Sequence, residues 1–324
     1  MGEQNMIQAL VSPIEKLISA VSGAIGKAYE PRHQRKMTDA KAYELYKIAD
    51  AVRNNSDVPI VYDSTGVTID TSNYEEIAKR ASNRLAFQEI YKQQNIEAVT
   101  DKAYEELEGV EFVSNEPVSQ DWMFRFFNSV EDISNEEMQR VWGQILAGEI
   151  KTPNTYSYRT LEKLRNMTLQ EVEVFQLVSA FSIQSSNKYF LLSNKDILDN
   201  YNIDFENIMA LEECGLMTSR ELSFNFEATE KTPGIIYNSR VVGLIRGTKK
   251  DNIQKVSFNI YPFTESGKQL IKSIKPQENE QYIIDCLQRI REKNKDLSVL
   301  AHRINQFVGE SEMDYDPTDI LPIV

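Results

Sequence analysis

The spacing of apolar residues predicts helices over the first two-thirds of the chain. Between Ile133 and Thr168 the apolar positions recur three and four residues apart, so one face of each predicted helix must be buried. Ser134 with Glu137, and Thr168 with Glu171, have the Ser/Thr-x-x-Glu spacing of a capping box. This stretch therefore predicts three short helices, joined by tight turns into a rigid hub.

The N-terminal segment has the same helical spacing and is followed by the densest group of cations in the chain. Ser12 and Pro13 predict a helix start, which divides the apolar positions between a short helix before Ser12 and a longer one after it. The apolar positions are Ile7, Leu10, Val11, Ile14, Leu17, Ile18, Val21 and Ile25, and the cations include Arg32, Arg35 and Lys36. Burial in a helical bundle or against a second copy explains this pattern, and contact with an anionic membrane is the alternative.

A second long helical pattern follows a shorter helix predicted over 37–53 and an irregular stretch over 54–71. Ser72 with Glu75 predicts its start, and apolar residues such as Ile77 and Leu85 recur as far as about Glu108. The polar residues 93–95 interrupt the apolar face. The length predicts either the spine of a bundle or an extended arm, with a bend or an exposed middle.

The pattern changes after residue 186, where two short helices precede three strand-like runs, an order typical of a winged helix. The helix in the position of a DNA-reading helix, Phe205–Cys214, contains three glutamates and no Lys or Arg, whereas base and phosphate contacts need cationic donors. Arg246, Lys249 and Lys250 form a basic wing tip, which is the one sign of nucleic-acid binding. We therefore do not expect nucleic acid as a partner.

The last part of the chain predicts one more helical region and an acidic tail. Apolar residues recur at helical spacing over 279–308, and acidic residues dominate from Gly309 to Asp319. An acidic run is usually solvated and without fixed structure. The apolar residues that end the chain leave a docking peptide as an alternative to a frayed terminus.

One motif in the predicted hub resembles a known family. The string WGQILAGEIKTPNTYSYRTLEKL, from Trp142 to Leu164, is similar to the signature of a bacterial domain-of-unknown-function family, number 2806 in that series. Members also resemble this chain in an N-terminal stretch, LVSPIEKLISAVSGAIGKAYEPRHQRK, and in TESGKQL near residue 270. The resemblance implies no activity and no catalytic residue, although it suggests a setting of mobile elements or phage defence. The motif residues to which we assign a structural role are Trp142, Leu146, Pro153, Ser157, Arg159, Thr160 and Leu161.

Composition excludes several functional classes. A net charge of −13 argues against general affinity for nucleic acid, since phosphate binding depends on clustered Lys and Arg. Cys214 and Cys286 have no nearby cysteine, and His33 and His302 have no second ligand at metal-binding spacing, so we predict no metal and no disulfide. No phosphate-binding loop or nucleophile motif is present, so we predict no cofactor and no catalytic residue.

These patterns together predict a mainly α chain with a smaller α+β part: a helical bundle followed by a winged-helix-like module. Five parts are expected. They are the N-terminal amphipathic helices (1–36), a region with the long helix (37–117), the hub (118–185), the winged-helix-like module (186–276) and a helical extension with its acidic tail (277–324). We expect a non-catalytic, cytoplasmic interaction protein with protein partners, among them a second copy. The alternatives are a DNA-binding regulator and an enzyme with a carboxylate site that the sequence does not reveal. A peripheral contact with the inner face of an anionic membrane, as part of a defence against phage, is a further hypothesis.

Overall fold

The structure, a computed structural model, describes residues 10–26, 75–248, 253–273, 279–308 and 312–323. The chain divides into two compact units, Met1–Thr155 and Tyr156–Val324. Each unit has its own secondary structure and buried residues. The five-part division expected from the sequence stays a prediction.

The described residues of the first unit form helices and one short two-stranded sheet. Its elements are β1 (Leu10–Val11), α1 (Pro13–Ile25), α2 (Glu75–Leu107), β2 (Val113–Ser114), α3 (Gln120–Val130) and α4 (Glu136–Lys151). α1 packs against α2, α3 and α4, while β1 pairs antiparallel with β2. The fully buried side chains at the centre of the unit include Leu17, Val21, Val99, Phe126, Trp142 and Ile145.

The described residues of the second unit form six helices and eight strands. Its helices are α5 (Tyr158–Arg165), α6 (Leu169–Ser179), α7 (Lys195–Asn200), α8 (Phe205–Glu213), α9 (Glu265–Ile271) and α10 (Glu280–Lys293). Its strands are β3 (Ile183–Ser185), β4 (Lys188–Leu192), β5 (Leu222–Ala228), β6 (Gly234–Tyr237), β7 (Val241–Gly247), β8 (Gln254–Pro262), β9 (Leu297–Phe307) and β10 (Met313–Leu321). They form one sheet in the order β10-β9-β7-β6-β3-β4-β8-β5, and every pairing is antiparallel.

The sheet curls so that the end of β5 reaches β7, although the two strands are far apart in the strand order. The Gly247 amide donates to the carbonyl of Thr229, just after β5, at 3.2 Å. Gly234 in β6 lies against the ring of Phe226 in β5, where any added Cβ would overlap the ring. Clustered phenylalanine rings of β4, β5 and β8 line this curve, with Phe190 and Phe224 at 5.2 Å between centroids. Aromatic packing therefore stabilises the curled part of the sheet.

Most helices that the structure describes begin at a Ser, Thr, Asn or Asp whose side chain accepts a hydrogen bond from an amide of the first turn. The side chains of Ser119, Ser157 and Thr168 accept hydrogen bonds from the first-turn amides of α3, α5 and α6, and Thr168 completes its capping box with Glu171. The predicted start of α4 at Ser134 is wrong by one residue. Asn135 is the N-cap, and its Oδ1 accepts from the Met138 amide at 3.0 Å. Asparagine is as good an N-cap as serine, which explains the difference.

The predicted fold class, a mainly helical bundle with a winged-helix-like module, is wrong. The strands expected at Leu222–Phe226 and Val256–Tyr261 exist within β5 and β8, but they belong to the eight-stranded sheet. The helix expected over 279–308 ends at Lys293, after which the chain forms β9, and much of the expected acidic tail forms β10. β9 pairs with β7 from Leu297 to Arg303, so sheet pairing outweighs the helical spacing of its apolar residues.

Candidate interaction surface

The first half of the family motif lies in the core and at the end of α4. Trp142 and Leu146 are fully buried, and the Trp142 ring meets Phe126 edge-to-face at 5.5 Å. Glu149 is also buried, and its carboxylate accepts from the Asn154 amide at 2.7 Å, where the chain turns with a left-handed φ of 68°. Pro153, in the same turn, is buried. These side chains pack the unit and fix the turn after α4.

Lys16 connects the N-terminal family stretch to this turn. Its Nζ donates to the carbonyls of Ser114 and Ile150, each at 2.8 Å, and so joins α1 to β2 and to the last turn of α4. Burial lowers the pKa of Lys16, while the charges of Glu116 and Glu149 oppose that shift. An ammonium at the C-terminal end of α4 also interacts favourably with the helix dipole. Lys16 therefore has a structural role.

The second half of the motif contacts the TESGKQL stretch within the second unit. Ser157 is the N-cap of α5, and the side-chain oxygen of Gln269 in α9 accepts both from the Ser157 amide, at 2.9 Å, and from the Thr160 hydroxyl. Leu161 is buried, whereas Arg159 is exposed. No role was predicted for Gln269 from the sequence, although this residue lies in the TESGKQL stretch that resembles the family.

Lys163, in the last turn of α5, makes a similar contact. Its Nζ donates to the carbonyl of Gly215, which also accepts from the Thr264 hydroxyl at 2.7 Å. Gly215 follows α8 with a φ of 69°, as predicted for a glycine that ends a helix. Burial, and then the charge of Arg159, lower the pKa of Lys163. The polar residues of the motif thus cap helices and link elements.

The N-terminal candidates for membrane contact or self-association divide into four groups. Leu17 and Val21 are fully buried in the first unit. Val11, Ile14, Ile18 and Ile25 are half-buried, and Leu10 is exposed. Ile7, Arg32, Arg35 and Lys36 lie outside the described residues. The apolar face of α1 is therefore used, at Leu17 and Val21, in the core of its own unit.

Of the three nucleic-acid candidates, the structure describes Arg246 alone. Arg246 is half-buried in β7, and its Nη1 donates to the carbonyl of Glu230 at 3.2 Å. Lys249 and Lys250 lie outside the described residues. α8, which the sequence placed as the DNA-reading helix, exposes Phe205 and Met209 beside its glutamates. Such a surface has none of the donors that phosphate and guanine require.

Among the described residues of the first unit, exposed large apolar side chains are concentrated in the N-terminal half of α2, residues 77–91, which we call the arm. Its large side chains range in exposure from 37% at Ile90 to 59% at Phe87, and Ile77, Leu85 and Tyr91 lie between these values. Such a group of exposed apolar residues on one element is typical of an interaction site. The sequence predicted the long helix, with Ile77, Leu85 and Ile90 among its recurring apolar residues, and left open whether it forms a bundle spine or an extended arm.

The arm is held at its base by polar contacts. Lys92 Nζ donates to the Glu131 carboxylate at 2.9 Å, and this hydrogen bond raises the pKa of Lys92. Asn95, the first buried residue of α2, donates to the Glu131 carbonyl at 2.8 Å. From Asn95 onwards the helix packs on α4, with no break between Glu75 and Leu107. Residues 93–95 do not interrupt the helix, and Gln93 and Gln94 are exposed, so the arm continues directly from an anchored helix.

Three kinds of group most often support catalysis in such a chain: metal ligands, thiols and an ammonium in a groove. Within the described residues no three His, Cys, Asp or Glu side chains are grouped to hold a metal ion. Cys286 is fully buried, which raises the pKa of its thiol, and burial raises that of Cys214 to about 11. A groove of about 510 Å³ beside α1 is lined by small and apolar residues together with Glu15, Asn115 and Gln120. Its one ammonium, Lys16, already contacts two carbonyls. In the parts of the chain that the structure covers, no helix is long and apolar enough to cross a membrane.

Comparison with known proteins places the chain in a family but gives no activity. No curated protein and no solved structure matches it. Residues 79–287 match the family described as "Protein of unknown function (DUF2806)", a span that includes nearly all of the arm, the whole motif and the TESGKQL stretch. This chain belongs to the DUF2806 family, as its central motif predicted.

Proposed function

We propose that this protein is a non-catalytic interaction protein that binds other protein chains through the arm. The observation that carries the proposal is the exposure of Leu85, Phe87 and Tyr91 on a helix whose anchoring contacts, within the described residues, lie at its other end. Helices in proteins gain most of their stability by burying an apolar face, and the arm leaves its apolar side chains in water. A partner that covers the arm would bury them.

The distribution of apolar residues around the arm favours a protein over a membrane as the partner. A helix that lies on a membrane has its apolar residues on one face. At about 100° per residue, Leu85 and Phe87 are roughly 200° apart, so they lie on opposite sides of the helix. Another protein can cover more than one side. Peripheral membrane contact and a role in defence against phage stay predictions from the sequence.

Site-specific photocrosslinking in the cell of origin tests this proposal. A photoreactive phenylalanine analogue replaces Phe87 in the arm, and in a separate variant it replaces Phe112 in the same unit. Phe112 is a matched control because its exposure, 61%, is close to the 59% of Phe87. We expect protein adducts from position 87 that position 112 does not give. If the two positions give the same background of adducts, the arm is not a protein-binding element and the proposal is wrong.

A further inference from the structure

The arm has one stripe in which two cations are followed by two aromatic rings. Arg80, Arg84, Phe87 and Tyr91 are separated by four, three and four residues, the spacing that keeps side chains on one face of a helix. All four are exposed. The Phe87 and Tyr91 rings contact each other, with centroids 4.4 Å apart, so the aromatic half of the stripe is one continuous surface. Within the described part of the chain, neither guanidinium has a hydrogen-bond or ion-pair partner.

The spacing of this stripe is the same in both directions, which makes the stripe complementary to itself. A two-fold axis between Leu85 and Ala86 reverses the order of the four positions. Arg84 of one copy then lies opposite Phe87 of the second copy, and Arg80 lies opposite Tyr91. A guanidinium over an aromatic ring is a favourable pair, and the symmetry makes four such pairs. A parallel arrangement would instead place arginine against arginine.

We propose that the arms of two copies of this chain pair antiparallel through this stripe. The inference rests on the proposed function and names the partner as a second copy. The antiparallel arrangement also keeps the basic ends of the two arms at opposite ends of the contact, since Lys79, Arg80 and Arg84 all lie in the first half of the arm. Residues 27–74 of the same chain and an unrelated protein are the other possible occupants, and the experiment distinguishes them.

Sedimentation equilibrium of the full chain over a range of concentrations measures the association directly. We expect a monomer–dimer equilibrium that Arg84→Glu weakens by about tenfold, because the substitution removes two of the four cation–aromatic pairs. Lys79→Glu is the matched control, since it makes the same charge change within the arm. Lys79 lies about 140° around the helix from Arg84, away from the stripe, so we expect little change. Equal weakening by both variants would overturn the proposed contact.

An exchange of the two central residues tests the antiparallel register. Arg84→Phe alone places rings against rings, and Phe87→Arg alone places cations against cations, so we expect the second to weaken association more. The double variant with both changes restores each cation opposite a ring, and we expect its dissociation constant to return to within about threefold of the wild-type value. A double variant as weak as Phe87→Arg would overturn the register. Circular dichroism verifies that each variant keeps its helix content.

The result also separates this inference from the proposed function. A chain that is monomeric at every concentration, yet gives adducts with another protein from position 87, overturns the paired arms and leaves the proposed function in place. Adducts within one chain, to residues 27–74, identify that segment as the occupant and overturn both proposals. An adduct between two copies at position 87, together with the expected variant series, supports both.

Discussion

Replacing Gly143 by alanine tests whether the motif glycine is needed for the crossing of two helices. An added Cβ at this position would lie 2.5 Å from the Cβ of Lys102, and 3.0 Å from the backbone nitrogen of Ala103. Both atoms belong to α2: one is a backbone atom and the other is bonded directly to the backbone. Neither can rotate away as the end of a long side chain can. We therefore expect α2 and α4 to be forced apart in the Gly143→Ala variant.

The size of the effect follows from two opposing contributions. Overpacking in a close-packed interior costs about 1–3 kcal/mol, and a contact with backbone belongs at the upper end of that range. Alanine has a higher helix propensity than glycine by about 1 kcal/mol, which offsets part of the cost. We expect a net loss of about 2 kcal/mol in the free energy of unfolding of the first unit.

Gly23→Ala in α1 is the matched control for the same chemical change. Nothing lies within 4 Å of a Cβ built at Gly23, and its φ is not in the left-handed region. Only the propensity contribution applies there, so we expect a gain of about 0.5–1 kcal/mol. Both tryptophans of the chain, Trp122 and Trp142, are buried in the first unit, so their fluorescence during urea unfolding reports on that unit. If both substitutions changed stability with the same sign, the argument from the helix crossing would be refuted.

Three further predictions concern the second unit. Gln269→Ala removes the acceptor shared by two groups of α5, and we expect a loss of about 1–3 kcal/mol in urea unfolding followed by far-ultraviolet circular dichroism; an unchanged midpoint would contradict this. Hydrogen bonds from Thr168 hold the pKa of Glu171 below its ordinary 4.5, so their stabilisation is present above that pH and is lost as the pH falls through the lowered pKa. We expect Thr168→Ala to lower the free energy of unfolding by about 1 kcal/mol at neutral pH, and this loss to become smaller in acid. A loss that stays the same at every pH would refute the stabilising role of the Thr168–Glu171 hydrogen bonds. A thiol reagent at neutral pH should modify Cys214 slowly and Cys286 only on unfolding, because Cys286 is the more buried thiol, and equal rates would count against this burial.

Local signals in the sequence predicted the helix ends well. A side chain that caps a helix acts on amides within its own first turn, so Thr168 or Ser157 can be identified without knowing the rest of the fold. Gly215 was predictable for the same reason, because a left-handed residue that ends a helix favours glycine. The family motif was recognisable because it is a long continuous string.

The sheet was not predictable from the same signals, because its pairings join distant parts of the chain. Leu297, Leu300 and Ile304 have helical spacing, yet the burial of β9 follows the pairing with β7. One of the three strand-like runs after residue 186, Ile235–Ile245, has the spacing of a single strand but contains β6 and β7. Asn238 accepts hydrogen bonds that close a turn between them. Apolar spacing alone does not separate a helix from a strand when tertiary pairing decides.

The arm shows a third limit, because spacing identifies an apolar face but does not tell whether that face is covered. The stripe of α2 that continues into Val99 and Ala103 is buried at those two residues and exposed at Leu85, although the periodicity does not change between them. What changes is the presence of α4 beside the helix. The family match includes both the motif and the arm from residue 79 onwards. The motif residues serve packing and capping. We therefore expect the shared function of these proteins to depend on the arm.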